Sequence, residues 1–434
     1  MKQAFFLSAA AEGRLHLNRA HFLCAAVMAW GLSAGQALSA EAGAPATPAQ
    51  AQQQRPLGPP PGVSNGLEGT QTEPPAQRDE PAIIVVPQPQ ARPADAPKLQ
   101  DRTNTLLGET EILDIPLAEI PNYREHMRSI VEDLAVYAHT RNPKFIVVTR
   151  GGFDLLDWSQ REFDLEQVKR DPMAKVNLGA VMPVGMIMRR YLQRVDGVLL
   201  NGQLCAPLRV PQDELGAMMK QGVKFLSIEH CRDDQIGMQA LQAAQRAGIV
   251  AHVDTDAEDL FAKVPRKRPV PENAGNIDNL SDAKNMLVMT ESHAYSDRDE
   301  WIEALRANNY DVLVTDAFFR GNQSLTKDDV HRLKFKELGA RRMVLARINV
   351  GLAEDERYYF KREWRPGEPS WIRGFDSDQP GAYVVEYWNP AWKAIIGKYF
   401  AGIMDLGFDG VVIDGVEAYR RWEFMTPIDS KRRD

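Results

Sequence analysis

The 434-residue sequence predicts an α/β fold, a single (β/α)8 TIM barrel over residues 104–425. Three observations carry that reading. Eight short apolar runs punctuate the span, each continuous rather than alternating, as befits a parallel sheet covered on its outer face. Amphipathic stretches of helical period separate them. Most of those stretches stop at glycine, the residue that closes a helix with a left-handed turn. A doubly wound open sheet is the structural rival.

The chain begins with Lys2, Arg14 and Arg19, then a short apolar run from Phe22 to Leu32, then small residues and an Ala40-Glu41-Ala42 cleavage site. This is the pattern of a signal peptide over residues 1–42. The apolar run is too short to cross a bilayer core of about 30 Å. The mature protein is therefore expected to be exported, periplasmic or extracellular, with no stable membrane insertion.

Residues 43–103 are expected to be a Pro/Gln/Ala-rich disordered linker. Thirteen of the 28 prolines and none of the aromatic residues fall between 41 and 103, too little apolar surface to offset chain entropy. Ile83-Ile84-Val85-Val86 reads either as a docking strand or as a solvated extended segment.

The strand-like runs come in this order: Phe145–Thr149, Val195–Leu200, Val223–Ile228, Ile249–Val253, Met286–Met289, Val312–Thr315, Met343–Ile348 and Gly410–Ile413. The helical stretches include Asp213–Gln221, Gly237–Ala247, Asp299–Asn308, Lys327–Leu338 and Trp392–Leu406, with Gly222, Gly248, Gly339 and Gly407 as stops. Residues 426–434 form a charged tail.

A net charge of −7 excludes the basic footprint of a nucleic-acid binder. No Gly-rich phosphate loop follows Arg150-Gly151-Gly152, and no Gly-x-Ser-x-Gly elbow occurs. No cofactor and no metal are expected: His230, His252 and His293 show no i, i+4 pairing. Cys205 and Cys231 stand just beyond neighbouring strands. In an oxidising compartment they form either a disulfide or two buried free thiols, their unequal offsets leaving both open.

In a barrel the chemistry lies where strands end. Those ends carry Arg150, Asn201, Glu229 and His230, His252 and Asp254, Glu291, Asp316, Asn349 and Asp414. Crowded carboxylates are expected to push some pKa values upward, as acid/base catalysis needs. Between the seventh and eighth runs, residues 355–392 hold ten of the 35 aromatics. Tyr358, Trp364, Trp371 and Trp388 from this excursion, with Arg357, are expected to bind sugar rings; about half of the aromatics should form the loop's own small core.

Four ordered motifs carry a family resemblance: Asp311–Asp316, Gly351–Tyr359, Tyr387–Trp392 and Gly407–Val416. Together they resemble glycoside hydrolase family 114, the endo-α-1,4-polygalactosaminidase-like barrels. Leu352 and Asn389 depart from the usual Gly-Glu-Ala-Glu and Trp-Asp-Pro forms. Residues 140–262 resemble the second half of the same family placed ahead of the first, which implies a circular permutant. The resemblance implies a catalytic Asp–Glu pair. The Asp falls on Asp414, but the Glu position falls on Asn201.

Two functions are compatible with these residues. The first is hydrolysis of a polysaccharide, galactosamine-containing by the resemblance, with Asp414 paired to Glu229, Glu354 or Asp316. The second is a carbohydrate-binding or matrix-associated protein that has lost the glutamate. The partner is a polysaccharide or oligosaccharide in either case.

Overall fold

In a computed structural model of the protein, the described residues are 112–113, 115–170, 186–206, 209–255, 261–265 and 267–428. The expected signal peptide, the linker and the end of the charged tail lie outside them.

All eight apolar runs are strands: β1 Ile146–Arg150, β2 Gly197–Asn201, β3 Lys224–His230, β4 Val250–Asp254, β5 Met286–Met289, β6 Val312–Thr315, β7 Met343–Asn349 and β8 Gly410–Asp414. They form one sheet in the order β4-β3-β2-β1-β8-β7-β6-β5, with every ladder parallel. The order runs round a ring without the reversal a doubly wound sheet requires, and the two end strands, β4 and β5, lie against each other. This is a (β/α)8 barrel that is nearly closed. At the remaining seam the His252 ring hydrogen-bonds the Met286 main chain.

The barrel interior is filled by Val148, Leu199, Leu226, Val288, Val314, Leu345 and Val412, one side chain from each of seven strands. Ile277, Leu280 and Ala283 pack against the same cluster from the segment that leads into β5.

The outer layer is helical: α1 Tyr123–Arg141, α2 Gln160–Arg170, α3 Gln212–Lys220, α4 Asp234–Ala247, α5 Arg298–Arg306, α6 Lys327–Leu333, α7 Pro390–Leu406 and α8 Tyr419–Met425. Helix α1 starts where the Asn122 side chain accepts from the Glu125 N–H, and it buries Met127, Ile130, Val131 and Leu134. Its Arg128 reaches the buried Glu162 of α2 at 2.6 Å. Among the described residues the connection from β4 to β5 holds no α-helix, only a 3-10 turn at Leu280–Asp282.

One helix is shorter than its period predicts. Helix α6 stops at Leu333, not Leu338, because Lys336 turns inward to Asp311 at 2.6 Å and to the Asn273 and Gly275 carbonyls. Phe335 then pairs with Arg341 across a turn in which Gly339 has φ +85°. Gly339 therefore turns a loop instead of capping a helix, whereas Gly248 and Gly407 do cap α4 and α7.

After β7 the chain leaves the barrel and builds a three-stranded antiparallel sheet. Leu352–Glu354 pairs with Ala382–Val385, which pairs with Ile372–Phe375. Cys205 and Cys231 are joined by a disulfide, with Cα atoms 5.4 Å apart. No helix among the described residues is long and apolar enough to cross a membrane.

Candidate active site

The C-terminal ends of the strands surround a cavity of about 910 Å³. Of the predicted residues, Asp414, Asn201, Arg150 and Glu291 line it. Arg347, Asp376, Asp378, Glu417, Arg421, Phe261 and Trp422 line it as well, and sequence reasoning singled out none of these.

Asp414 ends β8 beside β7, its register partner being Asn349. Its Oδ2 accepts from Arg347 Nε at 2.9 Å and from Arg150 Nη1 at 3.4 Å, and its Oδ1 accepts the Gly415 N–H at 2.8 Å. Burial alone would raise this carboxyl; the guanidiniums of Arg347 and Arg150 outweigh it and hold the group below the usual aspartate range.

Arg347 spans two carboxylates. Its Nη2 donates to Glu354 Oε1 at 2.7 Å, and Glu354 Oε2 accepts from Arg357 Nε at 2.7 Å. Arg357 continues to Asp316 with a two-pronged contact of 2.9 and 2.7 Å. The result is an alternating line: Arg150, Asp414, Arg347, Glu354, Arg357, Asp316. Burial would raise Glu354, yet Arg347 and Arg357 bring it down to about 2.

The expected upward shift occurs at Glu356, raised by burial and by the neighbouring Glu354, Asp316 and Glu291, whereas at Asp414 and Glu354 the arginines reverse it. Arginines stand between the carboxylates, so the cavity floor holds ionised groups. A charged residue inside the apolar run Met343–Ile348 was the available signal for Arg347. The family motif contained Arg357, but its place between two acids depends on folding of the excursion.

Glu229 is buried and does not line the cavity. Its oxygens accept from the Gln203, Leu204 and Cys205 N–H groups at 2.8–2.9 Å and from the Ser227 hydroxyl. It is a brace for the loop after β2, next to the disulfide. Asn349 is likewise structural: its Oδ1 accepts the Gly351 and Leu352 N–H groups at 3.0 Å. A Cβ on Gly415, which has φ +75°, would land on that same oxygen.

None of the ten excursion aromatics lines this cavity. Tyr358 stacks on Phe318, Trp364 meets Trp371 at 5.0 Å, Trp371 meets Trp392, and Trp388 packs against Trp422 and Tyr123. They form a small core that fixes the position of Glu354. The rings that do face the cavity are Phe261 and Trp422. Phe261 has φ +68° and lies 5.8 Å beneath the Arg150 guanidinium. Strain of this kind, about 1–3 kcal/mol, tends to cluster where ligands are held.

Asn201 lies in the cavity wall, its Oδ1 accepting from Arg150 Nε at 2.9 Å. Asp376 is tied to Arg421 at 2.8 Å, and Glu417 to Arg420 at 3.0 Å and to the Gly152 N–H at 3.1 Å. No group of three or more His, Cys, Asp or Glu among the described residues is arranged to hold a metal ion.

Against known families, residues 288–432 match the model of glycoside-hydrolase family GH114. This segment resembles GH114. It contains β6 to β8 and Asp316, Arg347, Glu354, Arg357 and Asp414, so the arginine–carboxylate line lies within the matched span except for Arg150.

The chain is 32% identical over 152 residues to an uncharacterized protein of Methanocaldococcus jannaschii, covering 35% of this chain and 42% of the relative. An uncharacterized protein of Deinococcus radiodurans is 40% identical over 80 residues (18% and 26%), and one of Thermotoga maritima 37% over 78 residues (18% and 24%). The chain thus spans less than half the length of the curated relatives it matches. The GH114 match does not reach residues 140–262, and the rotated order of the two halves expected there finds no support in it.

Proposed function

We propose that this GH114 barrel hydrolyses glycosidic bonds in an exported polysaccharide-processing role, with a galactosamine-containing polymer as the first substrate class to test. The observation that carries the reading is Asp414. It is a largely buried, ionised carboxylate at the end of a barrel strand, facing a cavity of oligosaccharide size and held by two arginines. A fixed negative charge is what an oxocarbenium-like transition state demands of a nucleophile or base. Export is supported by the Cys205–Cys231 bridge, because disulfides persist in oxidising compartments.

The test is incubation of the purified protein with amino-sugar and neutral polysaccharides, with an assay for new reducing ends. Asp414→Asn should abolish that activity while leaving the melting temperature within a few degrees. Full activity in this variant would sink the assignment.

Asn201 favours a second reading, a sugar-binding protein without turnover. Its mark would be quenching of Trp422 fluorescence by oligosaccharides that wild type never cleaves.

A further inference from the structure

Hydrolysis needs a proton donor as well as an ionised carboxylate, and the acids of the arginine line are unsuited to that task. Asp414, Glu354 and Asp316 are each bound to arginine. Glu229 is saturated by main-chain donors outside the cavity. Of the other acids on the cavity wall, Asp376 and Glu417 also carry an arginine partner. Among the described residues, two wall acids have no arginine partner, Asp378 and Glu291.

Asp378 sits on the exposed turn between two strands of the excursion, with its own N–H bonded to Asp376. Glu291 is better founded. It lies just past the end of β5, its N–H is fixed to the Phe261 carbonyl at 3.2 Å, and its nearest ring nitrogen is that of His293, 3.4 Å away. In the ring, β5 lies three strands from β8, so Glu291 and Asp414 occupy separate walls of one cavity. An acid and a nucleophile or base must flank the scissile bond in just this sense. Glu356 contributes negative field at the same place but does not line the cavity.

We infer that Glu291 is the general acid of this site. The inference rests on the hydrolase reading above. In the step, the Glu291 carboxyl proton passes to the leaving oxygen as the glycosidic C–O bond breaks, and the bonding electron pair stays with that oxygen. A water on the Asp414 side forms the new C–O bond to the anomeric carbon and gives its proton to the Asp414 carboxylate, which releases it to solvent. Glu291 is left as a carboxylate and takes its proton back from solvent through the exposed His293.

The test compares two substrates of the same sugar, an oligosaccharide and its 2,4-dinitrophenyl glycoside, using the full-length protein. A dinitrophenolate leaves without a proton, so it does not need the acid. Glu291→Gln should lose about 10²–10⁴-fold on the oligosaccharide and less than about tenfold on the activated glycoside. Asp414→Asn should lose both. Glu291→Asp, with the acid drawn back by one methylene, should show the same ordering with a smaller loss, a check that does not depend on removing the acid. Equal losses on both substrates in Glu291→Gln, or no loss on either, would overturn the inference. A wild type that cleaves neither substrate overturns the hydrolase reading itself.

Discussion

Replacing Arg347 by methionine should destabilise the barrel by about 3 kcal/mol at pH 7, the low end of the cost of removing one partner from a buried ion pair. Arg347, Glu354 and Asp414 have side chains only 14, 12 and 18% exposed. The low end applies because neither acid is left alone: Glu354 keeps Arg357, and Asp414 keeps Arg150 and the Gly415 N–H. The pH dependence gives a second readout. Glu354 is depressed from 4.5 to about 2, so its contribution is complete above pH 4.5 and disappears as the pH falls toward 2. Without Arg347 the folded-state pKa rises toward 4.5, so the loss below pH 4.5 is smaller and is complete at a higher pH. Urea unfolding at pH 7 and pH 4 would measure both effects. Arg347→Met with Glu354→Gln should recover part of the pH 7 loss, since the stranded charge is gone. An unchanged urea midpoint at pH 7 in the single variant would refute the clamp.

Three other outcomes are expected. The buried His252 is lowered to about 4, mainly by burial, so the unfolded chain binds a proton that the folded chain refuses between pH 6.5 and 4. Stability should fall with pH across that window, and His252→Gln should flatten the slope in urea titrations. The disulfide closes a 26-residue separation, so Cys205→Ser with Cys231→Ser should cost about 3 kcal/mol and lower the melting temperature without abolishing the fold. Gly415→Ala meets Asn349 Oδ1 at a positive φ, and should cost about 1–3 kcal/mol together with a loss of activity greater than that of a surface Gly→Ala.

The barrel was legible because its strands are local events: each apolar run and its glycine stop can be read within about twenty residues. Asp414, Asn201, Arg150 and Glu291 were legible for a related reason, since a strand's end is fixed once the strand is. Glu229 shows where that logic fails. Its position is a strand end like the others, but a disulfide-pinned loop folds over it and takes its oxygens, and no spacing rule encodes that loop. The aromatics near 355–392 were conspicuous in number, yet whether rings stack on sugar or on each other is decided by a three-stranded sheet built from distant segments. Arg347 reads as an oddity in an apolar strand until Glu354, seven residues on, is brought back against it.

The seam between β4 and β5 also makes the barrel a ring with a clasp. The chain that bridges it passes through the well-exposed Lys267 and Arg268, while the interior cluster is entered only later, by Ile277, Leu280 and Ala283. A protease that cut at this basic pair would separate two polypeptides, one holding β1 to β4 and the other β5 to β8, still zipped together along the β1–β8 ladder. Each fragment would bring half of the cavity: Arg150 and Asn201 on one, Glu291, Arg347 and Asp414 on the other. The molecule is, in that sense, two cooperating half-barrels that happen to share a chain.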